Sequence, residues 1–125
     1  MPTVRIEVTY KIWKEFKFAA SHQLEGLPTD HQCSRLHGHN YLIEVELESE
    51  ELDATGFVVD FGELSRIKQY IANVLDHRHL NKIFEFNPTA ENMAKEMFIR
   101  WIEWFPQIVA IRVRETDTSW AEYRP

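Results

Sequence analysis

From Val4 onward, apolar side chains fall on alternate positions: Val4, Ile6, Val8, Tyr10 and Ile12, then Phe16, Phe18 and Ala20, with Lys14 as an interruption. Arg5, Glu7, Thr9, Lys11, Glu15 and Lys17 take the opposite parity. Successive side chains of a strand point to opposite faces, so the pattern predicts a long half-buried strand, bent near Trp13–Lys14. The polar stretch GLPTDHQCSR predicts a loop. Alternation resumes from about Leu36 to Glu48, with Tyr41, Ile43, Val45 and Leu47 on one side and Glu44, Glu46 and Glu48 on the other.

The period then changes. DATG reads as a turn and FVVD as a short apolar run leading into a helix. Asp60 is a candidate N-cap, Glu63 completes a capping box, and Leu64, Ile67, Ile71, Val74 and Leu75 recur at helical spacing. After a loop, DHRHLNKIFEFNP, Thr89 caps a second helix that ends before Pro106. Its stripe of Met93, Ala94, Met97, Phe98, Trp101, Ile102 and Phe105 reads as core. Val109, Ile111, Val113 and Glu115 share one parity of a third strand, and SWAEY supplies a fourth. Strands early and late with helices between them describe the α+β class: a four-stranded antiparallel sheet covered on one face by two helices. The other face is polar with mixed signs, and the bare edges of so small a sheet point to oligomerisation through them.

Composition narrows the function. A chain of 125 residues suits one domain, 1–125. The net charge of −6 argues against nucleic acid as a partner, because a phosphate backbone calls for a basic surface. No apolar run approaches the ~20 residues of a membrane span, and the start MPTVRIEVTYK lacks a secretory signal. A single cysteine permits no internal disulfide, which fits a reducing cytoplasm.

Three of the six histidines carry the candidate chemistry. His37 and His39 occupy positions i and i+2 of the second strand, so both imidazoles project from one face. His22 continues the inward parity of Phe16, Phe18 and Ala20 at the end of the first strand. In an antiparallel hairpin that end lies beside the start of the next strand. All three therefore fall at one end of the hairpin, on its buried side. Three imidazoles without a fourth protein ligand suit a catalytic Zn2+ with an open position, although iron or nickel would also accept them. The competing reading is three separate buried, hydrogen-bonded histidines.

Other candidates surround this trio. Cys33, four residues before His37, could be a base or nucleophile, a fourth structural ligand, or an inert thiol. Asp76 beside His77 is the pairing in which a carboxylate orients an imidazole. His31 and His79 read as surface residues. Glu115 takes an inward position, where a carboxylate needs a partner. That partner is either an arginine (Arg112 and Arg114 have the wrong parity) or a ligand with two parallel N–H donors.

Six segments in order resemble the 6-pyruvoyltetrahydropterin synthase family: FAASHQL, CSRLHGHNY, VVDFGEL, LDHRHLN, NPTAEN and VRET. The resemblance covers nearly the whole chain. It implies a tunnelling fold, with sheets joining edge to edge into a barrel and a homohexamer (a dimer of trimers) with active sites between subunits. It also implies Zn2+ on His22, His37 and His39, proton transfer by Cys33 and by an Asp76–His77 dyad, and a pterin anchored by Glu115 with Thr116 beside it. The three-residue gap between Cys33 and His37 is similar to that of the bacterial carboxy-pterin branch. That branch converts 7,8-dihydroneopterin triphosphate to 6-carboxy-5,6,7,8-tetrahydropterin, releasing acetaldehyde and triphosphate, on the way to queuosine. The rivals are pyruvoyl-pterin formation from the same substrate, and a non-catalytic module stabilised by zinc with Cys33 as fourth ligand. Lys14, Arg35, Arg78 and Lys82 are candidate cations for the triphosphate.

Overall fold

In the computed structural model, which describes residues 8–125, the first hairpin is the backbone of the molecule. Strand β1 (Tyr10–His22) pairs antiparallel with β2 (His37–Ser49) from Tyr10 opposite Ser49 to His22 opposite His37. The ladder runs without a register shift through Trp13 and Lys14, so the bend expected there is not a break in pairing. The alternation expected at Val4 and Ile6 lies outside the described residues.

The sheet has five strands, in the order β3-β1-β2-β4-β5, which corrects the expected four. The added member is β3 (Arg78–His79), two residues that pair parallel with Ala20 and Ser21 on the outer edge of β1. A pair so short leaves no hydrophobic alternation to read in the sequence. Strands β4 (Ile108–Thr116) and β5 (Ser119–Tyr123) complete the other side, both antiparallel.

One face is covered by helices. A 3-10 turn (Phe61–Leu64), α1 (Ser65–Tyr70) and a π turn (Ile71–Leu75) run consecutively. Short α2 (Leu80–Ile83) and the longer α3 (Ala90–Trp101) follow, so α2 is an addition to the two helices expected. Asp60 does cap the first segment, but its carboxylate accepts from the Gly62 N–H at 2.8 Å, and the chain starts as a 3-10 turn. Thr89 accepts from the Asn92 N–H as an N-cap should. Leu64, Ile67, Ile71 and Leu75, with Met93, Met97 and Trp101, bury fully against Phe16, Tyr41, Ile43, Val45 and Leu47. The core is thus the inner face of the hairpin closed by two helical stripes.

Strand β4 departs from simple alternation. A register shift opposite Glu46 and Leu47 places Ile108, Ile111 and Val113 in the core, buries Ala110 beside Glu46, and leaves Val109 half-buried. A bulge opposes two residues to one and so changes the parity past it. The inward reading of Val109 fails for that reason, whereas Ile111 and Val113 hold.

On the opposite face, Glu46 is only 2 % exposed. The sequence places it among solvent-facing acids. Its carboxylate accepts from the Trp13 indole N–H at 3.0 Å, from Arg112 at 3.1 Å and from Arg124 at 2.6 Å. Arg112 also pairs with Glu44 and, at 2.7 Å, with Glu122. The carboxyl is held down at about 2, first by the Arg124 hydrogen bond and then, against the opposing cost of burial, by Arg112 and Trp13. No described helix is long and apolar enough to cross a membrane.

Candidate metal centre

The hairpin register sets His22 directly across from His37, and His39 follows two residues on, opposite Ala20. Their ligand nitrogens all lie within 4.8 Å of one another. The rings meet edge to face at interplanar angles of 67 to 89°, with centroids 4.4 to 5.0 Å apart. A Cβ added at Gly38, between the two β2 ligands, would meet the Ala20 carbonyl at 3.4 Å, an ordinary contact, so packing does not demand a glycine there.

The backbone fixes the tautomers. His22 Nδ1 lies 2.8 Å from the Pro88 carbonyl oxygen, and His37 Nδ1 lies 2.7 Å from that of Arg35. Carbonyls only accept, so each Nδ1 carries the proton and each Nε2 presents a lone pair. The two Nε2 atoms are 2.8 Å apart. Lone pairs at that separation repel unless a cation lies between them. The buried Nε2 of His39 has no hydrogen-bond partner among the described residues. Burial lowers the pKa of both His22 and His39, which keeps them neutral and able to ligate. These donors fit a divalent ion, and the close approach of the three rings sets them apart from three separate histidines.

A match to the family model for 6-pyruvoyl tetrahydropterin synthase spans residues 11–125. The chain belongs to that family.

Relatives of this pterin synthase family agree. A 6-carboxy-5,6,7,8-tetrahydropterin synthase of Synechocystis is 38% identical over 122 residues, covering 90% of this chain and 91% of that one. The Bacillus subtilis protein of the same name is 31% identical over 137 residues, covering 99% and 91%. The solved structure of Caenorhabditis elegans 6-pyruvoyl tetrahydropterin synthase superposes with a TM-score of 0.82 at 26% identity, covering 98% of this chain and 99% of its own.

Around the three histidines the remaining candidates fall in distinct places. Cys33 is half-buried in a 3-10 turn (Gln32–Ser34) and is not part of the ligand group. That geometry speaks against a structural fourth ligand. Asp76 leaves the π turn, where its N–H donates to the Ile71 carbonyl five residues back. Its Oδ1 accepts from the Ala19 N–H at 3.0 Å and lies 2.9 Å from His77 Nδ1. The Ala19 hydrogen bond, with His77 adding to it, holds the Asp76 carboxyl below its ordinary range. His77 is 82% exposed and sits at φ 58, a left-handed conformation uncommon for a non-glycine residue. Its N–H donates to the Ala19 carbonyl at 2.6 Å, which pins it to the β1 edge.

His77, Arg78 and His79 share one cleft with His39, so one member of the Asp76–His77 pair and one of the three histidines open on common space. Lys14 lines a separate cleft with Lys17, Lys68 and Asp76. Arg78 approaches the Asn73 carbonyl at 3.4 Å. Glu115 is half-buried and has no hydrogen bond or ion pair among the described residues. Its charge bears on His22 and Tyr41, whose protonated forms it favours. Thr116 is exposed in the turn toward β5, accepts from the Thr118 N–H at 3.3 Å, and lines a cleft with Asp76 and His77.

Two histidines read as surface residues have structural partners. His79 is half-buried and bonds Ser21 Oγ at 3.0 Å, and His31, though exposed, accepts the Cys33 N–H at 3.0 Å as the cap of its turn.

Proposed function

We propose that this chain is a zinc-dependent lyase, a 6-carboxy-5,6,7,8-tetrahydropterin synthase. It converts 7,8-dihydroneopterin triphosphate to the 6-carboxy product with release of acetaldehyde and triphosphate, serving queuosine and related 7-deazaguanines. The observation that carries this reading is the approach of three imidazole ligand nitrogens to within 4.8 Å of one another, two of the rings with tautomers set by backbone carbonyls, in a group that does not include Cys33. Zinc suits three neutral imidazoles and keeps a fourth position for substrate. When bound there it supplies Lewis acidity to side-chain oxygens of the pterin.

The chain's own residues take the remaining work. Asp76, ionised and tied to Ala19, holds His77 in one orientation for proton transfer. Cys33 is the second proton-transferring group, on the loop that leads into β2. Glu115 accepts the paired N–H groups of the pterin edge, with Thr116 adjacent. The edge of β1 left uncovered by the two-residue β3, and the outer edge of β5, support assembly of sheets into an oligomeric barrel and a homohexamer in the cytoplasm.

The test is incubation with 7,8-dihydroneopterin triphosphate, followed by mass spectrometry of the product and an acetaldehyde assay. Stoichiometric acetaldehyde with the carboxy product is expected. A pyruvoyl product without acetaldehyde would move the chain to the other activity in this family. No turnover in the zinc-loaded protein would sink both.

A further inference from the structure

The segments LDHRHLN and NPTAEN end and begin with asparagines that the chemistry above leaves unused. Beyond His22, β1 loses β2 as its partner, yet its backbone groups remain paired. The Gln23 N–H donates to Asn81 Oδ1 at 2.8 Å, and the Gln23 carbonyl accepts from Asn81 Nδ2 at 2.7 Å. Two residues on, the Glu25 N–H donates to Asn87 Oδ1 at 3.0 Å, and the Glu25 carbonyl accepts from Asn87 Nδ2 at 3.1 Å. An antiparallel neighbour bonds both groups of alternate residues in the same way. Two side-chain amides thus stand in for a strand.

Between these rungs, the Leu24 N–H donates to the Cys33 carbonyl at 3.0 Å. Gln23 Nε2 donates to the Ser34 carbonyl at 2.8 Å. The Cys33 turn therefore hangs from the segment the asparagines hold. Pro88, the residue after Asn87, supplies the carbonyl that orients His22. One short stretch of chain sets both the cysteine and a metal-site imidazole.

We propose that Asn81 and Asn87 are positioning residues whose amides form a two-rung clamp, fixing the Cys33 turn relative to the His22, His37 and His39 centre. Its consequence for turnover rests on the role given to Cys33 above. Each amide uses its acceptor and its donor at once, so no acid can replace it. Aspartate keeps the size and the acceptor, but sets a carboxylate against a backbone carbonyl.

The experiment compares Asn81→Asp, Asn81→Ala and Asn87→Asp with the wild-type zinc-loaded protein. It measures kcat and KM on 7,8-dihydroneopterin triphosphate, zinc content, far-UV circular dichroism, and the rate at which iodoacetamide alkylates the sole cysteine. Loss of two hydrogen bonds should raise Cys33 alkylation by about tenfold or more and lower kcat by a similar factor, with KM within about twofold. Zinc and helical signal should stay at wild-type levels. Unchanged alkylation in the folded aspartate variants would overturn the clamp, and loss of zinc together with fold would reduce the asparagines to a merely structural role. Should Asn87→Asp fail to fold, Asn81→Asp carries the test, since among the described residues its side chain bonds only Gln23. If wild type shows no turnover, the proposed activity fails while alkylation still reads the clamp.

Discussion

The sheet buries polar side chains on both of its faces, and the two clusters are built on opposite plans. On the outer face, Glu46 is enclosed by Trp13, Arg112 and Arg124, and both of its carboxylate oxygens are engaged. At the inner end of the hairpin, His22 and His37 commit their Nδ1 protons to backbone carbonyls and bring their Nε2 atoms to 2.8 Å, while the buried Nε2 of His39 has no partner among the described residues. A buried polar group left without a partner costs ~1–3 kcal/mol. A fold retains such an arrangement where a ligand repays it. Satisfied polar burial marks structure, and convergent unsatisfied burial marks a site.

The sharpest way to break this contrast is to remove one imidazole. His39→Ala should abolish stoichiometric zinc and lower kcat/KM by roughly a thousandfold or more, because the Lewis acid goes with it. The fold should persist, since the core is closed by the hairpin and helices rather than by the metal. Zinc analysis and circular dichroism on the same sample check both halves. Unfolding on chelation would place the centre with structural zinc sites.

The outer cluster should respond the other way. Glu46→Gln should cost about 3 kcal/mol in urea unfolding and leave the turnover of folded protein near wild type, because it removes the buried carboxylate at the centre of the network and leaves Arg112 and Arg124 only the more exposed Glu44 and Glu122. The pH dependence has the matching sign. Glu46 titrates at about 2 in the folded chain against an ordinary 4.5. A depressed carboxyl stabilises fully above its unfolded value and loses that stability as pH falls toward the folded one. The difference of about 2.5 pH units corresponds to on the order of 3 kcal/mol, lost between pH ~4.5 and ~2. Acid unfolding that is identical in Glu46→Gln and wild type would show that the network contributes nothing.

What the sequence discloses about these clusters follows from the range of the forces involved. The trio of histidines is legible because strand parity and hairpin order are local, and those two facts bring the rings together. The helical stripes are legible for the same reason. Glu46 is not, since its burial depends on Arg112 from β4 and on Arg124 beyond the last strand. Nor is β3, whose two residues pair with β1 through tertiary placement alone, or the bulge that misaligns Val109. Asn81 and Asn87 look like loop residues until the backbone they hold is seen.

Other groups should alter chemistry but not metal. Cys33→Ala should retain zinc and lose activity by about a hundredfold, the ordinary scale of a missing proton-transfer group. Stoichiometric zinc in this variant, read by metal analysis, separates it from the imidazole variants. Loss of zinc would put the thiol back among the ligands, against its place outside the ligand group.

The smallest effect expected, and the most discriminating, is at Glu115. Its carboxylate is half-buried, unpaired among the described residues, and close enough to favour the protonated forms of His22 and Tyr41. Two roles fit that position: anchoring the pterin edge, or tuning the histidines. Glu115→Gln keeps the shape and removes the charge. An anchor that accepts two N–H groups loses one charge-assisted bond, so pterin affinity should fall about tenfold while zinc affinity stays within about twofold. A tuning residue would do the reverse, moving zinc affinity and leaving pterin binding alone. Calorimetric titration of the zinc-loaded variant with a pterin, beside a competitive chelator assay, resolves the two, and a shift in metal affinity alone would transfer Glu115 from the substrate side of the site to the metal side.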